Sequence, residues 1–490
     1  MEKRPNIVVL MADQHRADMM SCAGDPVAQT PNIDWLAQQG VRFDRTYCQG
    51  PLCMPARASL VTERFVRDHG VFENSSEIPK GMPTFLNRLD DAGYHTAEVG
   101  KMHLWMHGGR KIGHTANMIP FLLDLGFNDA IETVGKLATY GHDSAYTDYL
   151  DSRGLLKSYR AFIGAQKHCG AANANEHKGD IAGWSAAPGP LAIEDYVDVW
   201  HGRRAVEWIE QYNDDKPFFL WVGFPGPHDP FDAPAEAVRR FAGVDIPMPK
   251  SVARPELPEE DGPFRTFLRR MLAYSDSASM DDAAIVAMRR AYYANIALID
   301  DAVGRVIDAL RKRDILDDTW IIYTSDHGEM MGEHRMMAKM VFYEPAVKVP
   351  LVVRPPKGTV ARVVDEPVQL MDLAATFREI AGAGEIPDSA ASSLVSTIVE
   401  DKTPVSPEAI ASENFGFAMF LTKQHKLVVY EDDLSPVSLF DMQQDPSEDH
   451  NLVKDPAFRG VVESMMENHV RPFLATKPLR PHQPSPSRKR

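Results

Sequence analysis

Short apolar runs alternate with amphipathic stretches along the first three quarters of the chain. The runs have the length of strands, and most are apolar nearly throughout, which is typical of strands buried on both faces of a parallel sheet. They cover residues 6–12, 217–224, 320–324 and 349–353, and the more polar residues 94–99 are interpreted as a further strand of the same sheet. The stretches between them place apolar residues at helical spacing and cover residues 30–37, 82–92, 205–212, 283–313 and 366–381. This order predicts an α/β fold with a large central, mostly parallel sheet flanked by helices.

The pattern changes near residue 385. Residues 426–430 and 437–441 predict two antiparallel strands around a polar loop. We therefore expect an α/β domain over residues 1–383 and a smaller α+β subdomain with an antiparallel sheet over 384–490. Its Pro-rich tail begins at Lys477. Within the first domain, residues 108–190 are rich in Gly, His and Ala and lack periodicity, so we expect an irregular insertion that shapes a pocket mouth.

The net charge, the lack of long apolar segments and the cysteine count of the sequence indicate which classes of protein are excluded. The net charge of −16 leaves no basic excess for binding nucleic acid. No segment is long and apolar enough to span a membrane, and the N-terminus carries no secretory signal. Four cysteines in 490 residues fit a reducing compartment, so we expect a cytoplasmic protein. The acidic charge and the tail lead us to expect a homo-oligomer.

Polar side chains follow the predicted strands where each strand ends. They are Asp13, Gln14, Lys101, His103, His228, Asp326 and His327, with Lys339 further along the chain. The carboxyl ends of parallel strands form the usual ligand site of an open α/β sheet. Two carboxylates, an amide and an imidazole can hold a divalent metal ion. The lysines and remaining histidines suit a small anionic substrate with a tetrahedral group such as sulfate or phosphate.

Residues 51–60 supply a further candidate for this chemistry. Pro55 restricts the backbone beside Cys53, and Arg57 follows in what we expect to be the first turn of a helix. The N-terminal end of a helix favours a thiolate or another anion. Taken alone, the cysteine has a plainer interpretation as a buried structural residue.

Four motifs carry a resemblance to a known family. Residues 53–57 resemble the signature Cys-x-Pro-Ser/Ala-Arg, and residues 93–103 resemble Gly-Tyr-x-Thr-x-x-x-Gly-Lys-x-His without a mismatch. Residues 325–329, Ser-Asp-His-Gly-Glu, and residues 439–441 with the Asp-Pro pair at 445–446 also fit. On these residues the chain resembles the type I, formylglycine-dependent sulfatases and phosphonate monoester hydrolases of the alkaline phosphatase superfamily.

The resemblance implies an arylsulfatase-like sulfuric ester hydrolase. Its nucleophile would be a formylglycine diol made from Cys53 by a formylglycine-generating enzyme. The implied ligands of one divalent ion, Ca²⁺ or Mn²⁺, are Asp13, Gln14, Asp326 and His327 with residue 53. The remaining implied roles are diol orientation for Arg57, charge neutralisation for Lys101 and Lys339, proton removal for His103, leaving-group protonation for His228 with Lys339, and substrate contact for Asn74.

Three positions depart from the common sulfatase pattern. Gln14 stands where many sulfatases have Asp, and His327 where many have Asn, which leaves the metal open between calcium and manganese. Related phosphonate monoester hydrolases share Gln and His there, so a phosphonate monoester or phosphodiester hydrolase is the alternative; Lys101 and His103 favour the sulfatase. Glu63 replaces a common Gly, so the turn after the first signature is expected to differ. A non-catalytic anion-binding relative is the remaining alternative.

Overall fold

A computed structural model describes residues 4–105, 112–167, 186–255 and 280–476, together with isolated positions between 261 and 272 and residues 478 and 479. The strands of the described residues are β1 Asn6–Asp13, β2 Val41–Phe43, β3 Thr46–Tyr47, β4 His95–Gly100, β5 Asp129–Glu132, β6 Phe218–Pro227, β7 Thr319–Ser325, β8 Lys348–Val349, β9 Leu351–Arg354, β10 Arg362–Val364, β11 Val368–Gln369, β12 Ile410–Asn414, β13 Phe417–Leu421, β14 His425–Tyr430 and β15 Pro436–Asp441.

Eight of these strands form the central sheet, in the order β10-β2-β9-β7-β1-β6-β4-β5. The strands from β7 to β5 run parallel to their neighbours, whereas β9 runs antiparallel to both β7 and β2. Every residue of β1, β6 and β7 is buried. The predicted large, mostly parallel sheet is therefore confirmed.

Helices cover both faces of this sheet. The α-helices of the described residues are Pro31–Gln38, Cys53–Thr62, Val66–His69, Phe85–Asp91, Ile119–Asp124, Ala145–Ser152, Leu156–Lys167, Val197–Gln211, Ala235–Arg239, Asp282–Lys312, Glu344–Val347, Asp372–Ala381, Val395–Glu400, Arg459–Met465 and Arg471–Leu474. In β1, Ile7 and Val9 join the cluster that contains Met54 and Phe377, whereas Val8 belongs to a second cluster with the helices Pro31–Gln38 and Asp282–Lys312. Alternate side chains of β1 thus pack against helices on opposite faces of the sheet.

The remaining strands form two smaller sheets. Strands β11-β3-β8 form a short sheet beside the central one, and β12-β13-β14-β15 form an antiparallel sheet. The antiparallel C-terminal sheet was predicted, although its first two strands were not. Lys426 of β14 is buried and forms ion pairs with Glu344 and Glu448. Since Glu344 begins the helix Glu344–Val347, this ion pair connects the antiparallel sheet to that helix.

Two predictions about local structure are wrong. Residues 119–167 are not irregular, since they contain three α-helices and the edge strand β5. The helix expected from residue 366 begins only at Asp372, because Val368 and Gln369 pair with β3. The predictions for the tail beyond residue 479 and for residues 106–111 and 168–185 lie outside the described residues. Among the described helices, none combines the length and apolar content needed to cross a bilayer.

Candidate active site

The topology brings the polar strand ends together at one edge of the central sheet. Strand β1 lies between β6 and β7, and β4 lies on the far side of β6. Asp13 is the last residue of β1, Asp326 follows β7, Lys101 follows β4, and His228 follows β6. Because these strands are parallel, their carboxyl ends meet, as the sequence predicted.

Cys53 begins the helix Cys53–Thr62 and faces this edge. Its Sγ lies 3.2 Å from His327 Nε2 and 3.8 Å from Asp13 Oδ1. Asn74 holds the start of the helix, since its Oδ1 accepts a hydrogen bond from the backbone N–H of Met54 at 3.0 Å. Asn74 therefore satisfies one of the open donors at the helix N-terminus, in addition to any contact with substrate.

Four side chains form a compact candidate metal centre. Ligand atoms of Asp13, Cys53, Asp326 and His327 all lie within 4.8 Å of one another, and all four residues are buried. Burial and Cys53 raise the pKa of Asp13, but the charges of Lys101 and other neighbouring cations outweigh them and lower it to about 2. An ionised carboxylate is the form that binds a cation, so this donor set of carboxylates and an imidazole fits a divalent ion.

Arg57 bridges the two carboxylates of this centre. Its Nε donates to Asp326 Oδ2 at 2.8 Å, and its Nη2 donates to Asp13 Oδ2 at 3.2 Å. A third bond, from Nη1 to the carbonyl of Lys101, is 2.7 Å long. The guanidinium is fully buried and fixes both acids relative to the end of β4.

Lys101 and His103 lie beside Cys53 on the β4 side. Lys101 Nζ donates to Asp13. Burial and the charge of Lys101 lower the pKa of His103 to about 4, although its hydrogen bond to Cys53 raises it. At neutral pH this imidazole is uncharged and can accept a proton.

His228 and Lys339 face each other on the β6 side. His228 Nε2 is 2.6 Å from Lys339 Nζ, and His228 Nδ1 is 3.0 Å from Asp229 Oδ1. Burial lowers the pKa of His228, but the charge of Asp229 outweighs it and the pKa rises to about 9. At neutral pH the pair therefore holds a proton that it can give to a bound group.

The same side chains shape the electrostatics around Cys53. Burial raises the pKa of its thiol, but Lys101, Lys339 and His327 lower it well below its usual range. The surroundings of residue 53 thus stabilise negative charge, as an anionic tetrahedral substrate requires.

Three acidic residues of the site were not predicted from the sequence. Glu132 accepts hydrogen bonds from the backbone N–H groups of Met102 and His103 and so holds the segment after β4. Asp229 pairs with His228, and Glu329 contacts Gln14. The positions of Asp229 and Glu329 beside predicted site residues were a usable signal, whereas Glu132 lies in a stretch interpreted as irregular.

The turn at Glu63, which was expected to differ from the glycine-containing one, has a backbone conformation that glycine also adopts. Glu63 ends the helix Cys53–Thr62 with φ of 56°, the left-handed conformation that glycine adopts readily. Its buried carboxylate accepts bonds from Arg378 Nε at 2.5 Å and Nη2 at 2.8 Å. The turn thus has a backbone that suits glycine, together with an ion pair that glycine could not make.

The comparisons with known proteins find similarity to sulfatases along most of the chain. The model of the family "Sulfatase" matches residues 5–383, and "N-sulphoglucosamine sulphohydrolase, C-terminal" matches residues 332–472. A choline-sulfatase of Rhizobium meliloti is 30% identical over 471 residues, covering 94% of this chain and 84% of the relative. An arylsulfatase of Clostridium perfringens is 27% identical over 467 residues, covering 93% and 92%.

Solved structures share the fold. The phosphonate monoester hydrolase of Agrobacterium radiobacter superposes with a TM-score of 0.79 at 24% identity and covers 97% of both chains. The family model spans more than three quarters of the chain, from before Asp13 to beyond Lys339, and a relative of similar length reaches 30% identity. On this evidence the chain belongs to the Sulfatase family.

Proposed function

We propose that this chain, a hydrolase of sulfate esters, cleaves its substrate with residue 53 as the nucleophile, after Cys53 has been matured to formylglycine. The observation that carries the proposal is the position of Cys53. It lies among potential metal ligands and beside the neutral His103. Burial raises the pKa of its thiol, but the charges of Lys101 and Lys339 lower it, and Lys339 contacts the protonated His228. Two groups with pKa values displaced in opposite directions provide a base and an acid at the same pH.

The chain's own residues support both halves of the reaction. Hydrated formylglycine is a geminal diol. One of its hydroxyl groups gives up its proton to water, and its oxygen attacks sulfur while the bond from sulfur to the substrate alcohol breaks. His228 gives its proton to the departing oxygen, with Lys339 beside it. Lys101 and Lys339 bind the sulfuryl oxygens and offset their growing charge. Asp13, Gln14, Asp326 and His327 would hold a divalent cation, which would supply Lewis acidity when bound.

The second half explains why a diol is required. The sulfate is now an ester of residue 53, whose second hydroxyl remains free. His103 takes the proton of that hydroxyl, the C–O bond to sulfate breaks, and the aldehyde is restored as sulfate leaves. Water then regenerates the diol. An unmodified thiol would form a thiosulfate with no such internal route of release.

The modification can be tested by mass spectrometry of the peptide that contains Cys53. Conversion of the thiol to the aldehyde removes about 18 Da, in contrast to ordinary cysteine oxidation, which adds mass. We expect this loss in active protein and expect C53A to be inactive with its fold retained. Full activity of protein with an unmodified Cys53, or of C53A, would contradict the mechanism.

Gln14 and His327 support a second candidate activity, the hydrolysis of phosphonate monoesters or phosphodiesters at the same site. His327 belongs to the candidate metal centre, the backbone N–H of Gln14 donates to Asp326 of that centre, and neither side chain carries the negative charge of an Asp ligand. Assays with an aryl sulfate and an aryl phosphonate monoester distinguish the two. We expect the sulfate to be preferred in kcat/KM; a preference for the phosphonate by several decades would reverse the order.

The remaining proposals concern the metal and the partners. We expect elemental analysis of the purified protein to find one calcium or manganese ion per chain.

Maturation requires a formylglycine-generating enzyme as a transient partner. The expected homo-oligomer remains a prediction, and light scattering of the full chain compared with a chain ending before Lys477 would test it.

A further inference from the structure

Gln14 poses a problem that the other potential metal ligands do not. Asp13 and Asp326 present oxygen in either orientation of the carboxylate, whereas an amide presents oxygen at one end and an N–H donor at the other. Only the oxygen can bind a cation. The contacts of the amide therefore decide whether Gln14 helps to hold a cation or repels it.

Both ends of the amide have charged partners in the structure. Gln14 Nε2 donates to Glu329 Oε2, and Gln14 Oε1 accepts from Lys339 Nζ. Gln14 and Glu329 are fully buried, so water does not compete for these bonds. The backbone N–H of Gln14 also donates to Asp326 Oδ1 at 3.1 Å, which fixes the residue beside the candidate metal centre.

The carboxylate of Glu329 is itself held in place. Its Oε1 accepts the backbone N–H of Met331 at 3.0 Å and that of Ala338 at 2.5 Å. This leaves Oε2 to face Gln14. Since Ala338 directly precedes Lys339, one carboxylate positions both the amide and the lysine that contacts its oxygen.

We propose that Glu329 is a positioning residue that fixes the Gln14 amide with its nitrogen turned away from the metal centre and its oxygen available to the cation. The inference rests on the proposed function for the presence of the cation. It adds a residue that does not touch the cation and a reason why an amide can serve as a ligand here.

Substitution by glutamine reverses the polarity of this contact without changing its size. In E329Q the two backbone N–H groups keep the carbonyl oxygen of the new amide, so its NH₂ faces Gln14. The Gln14 amide must then turn its oxygen toward residue 329 and its NH₂ toward Lys339 and the cation. We expect Mn²⁺ and Ca²⁺ to bind at least about tenfold more weakly, the range seen for lost support of a ligand.

Exchanging the residues at positions 14 and 329 should restore the metal affinity that E329Q loses. Q14E alone places two carboxylates in contact, whereas Q14E/E329Q restores one donor and one acceptor, and the carboxylate introduced at position 14 presents oxygen in both orientations. We expect the double variant to bind Mn²⁺ within about threefold of the parent, although E329Q does not. E63Q, which alters a buried carboxylate paired with Arg378 at the other end of the Cys53–Thr62 helix, should bind metal like the parent.

The measurement is calorimetric titration of full-length, chelator-treated protein with manganese chloride or calcium chloride alone, with circular dichroism to verify the fold. Parent-like affinity of folded E329Q would overturn the inference and leave the proposed hydrolysis untouched. If E329Q does not fold, Q14E/E329Q decides: affinity near the parent supports the inference, and affinity more than tenfold weaker overturns it. A parent protein that binds neither cation would overturn both this inference and the proposed metal site.

Discussion

At the scale of single residues, the pKa values of His103 and His228 differ because these histidines have different charged neighbours. Lys101 and burial disfavour a proton on His103, whereas Asp229 favours one on His228 against the effect of burial. On the proposed mechanism, histidine therefore supplies both the base and the acid of the same site.

The pH dependence of kcat/KM should reflect this difference. His103 must be neutral to accept a proton, so activity should fall as the pH drops through about 4. His228 must be protonated to donate, so activity should fall as the pH rises through about 9. We expect a plateau between these limbs in a pH–rate profile of the matured enzyme. A profile whose activity rises through pH 9 would contradict the assignment of His228 as the acid.

Loss of the acid should depend on the substrate. In H228N we expect kcat/KM for phenyl sulfate to fall about 10²- to 10⁴-fold, because phenolate needs a proton as it leaves. The para-nitrophenyl ester leaves as a stable anion, so it should lose less than about tenfold. Equal losses for both esters would indicate that His228 binds substrate rather than protonating the leaving group.

At the scale of elements, the end of the helix that begins at Cys53 combines strain with an ion pair. Glu63 has a positive φ, which costs a non-glycine residue roughly 1 kcal/mol. Its pairing with Arg378 joins this helix to the helix Asp372–Ala381. Removing one partner of a buried pair typically costs about 3–5 kcal/mol, so the pair outweighs the strain.

We therefore expect E63G to destabilise the protein by about 2–4 kcal/mol, although glycine suits the backbone. The double variant E63G/R378M should recover part of that loss, because it no longer leaves a buried charge without its partner. Urea denaturation followed by circular dichroism measures both. An E63G variant more stable than the parent would show that backbone strain dominates at this turn.

Sequence patterns predicted some strands of the fold and missed others. The apolar runs of β1, β6 and β7 are buried on both faces, so their composition alone predicted them, and the polar residues after them marked the site. Strand β12 was missed because its Ser412, Glu413 and Asn414 are polar yet buried. Glu413 is accommodated by Arg67, which lies 346 residues away in sequence.

The other errors have both distant and local causes. Residues 366–371 fit the helical pattern, but pairing with the short strand β3 prevails over that local preference. Helix Ala145–Ser152 is short, and its start depends on a capping box between Ser144 and Thr147 rather than on a long apolar stripe. Glu132 could not be predicted either, because it ends β5 while its partners, the backbone N–H groups of Met102 and His103, follow β4. The proposed boundary between residues 383 and 384 remains a prediction.

At the scale of the whole molecule, a buried lysine links the C-terminal sheet to the site. Lys426 Nζ lies 2.8 Å from both Glu344 Oε1 and Glu448 Oε1 and donates to the carbonyl of Phe342 at 3.0 Å. Phe342 is three residues from Lys339, so the antiparallel sheet supports the segment that carries this lysine.

Replacing Lys426 should therefore affect both stability and substrate binding. K426M leaves the buried carboxylate of Glu448 facing the half-buried one of Glu344 without a cation, and we expect a loss of about 3–5 kcal/mol in the free energy of unfolding. We also expect KM to rise more than kcat falls as Lys339 loses support. K423M, at an exposed lysine beside the same strand, is the matched control and should change neither. Unchanged stability in K426M would mean that the C-terminal sheet is held by its apolar contacts alone.

The burial of Cys53 sets an order of events in the life of the chain. Cys53 is 1% exposed, and Met54 and Arg57 are fully buried, so the residues that resemble the maturation signature lie inside the folded protein. On the proposed mechanism, a modifying enzyme must reach this stretch while it is still extended. The fraction of active protein then depends on the rate of modification relative to the rate of folding. A chain that folds before it is modified stays inactive until it unfolds. We expect a peptide spanning residues 48–62 to be modified, and folded protein that carries the thiol to resist the same enzyme.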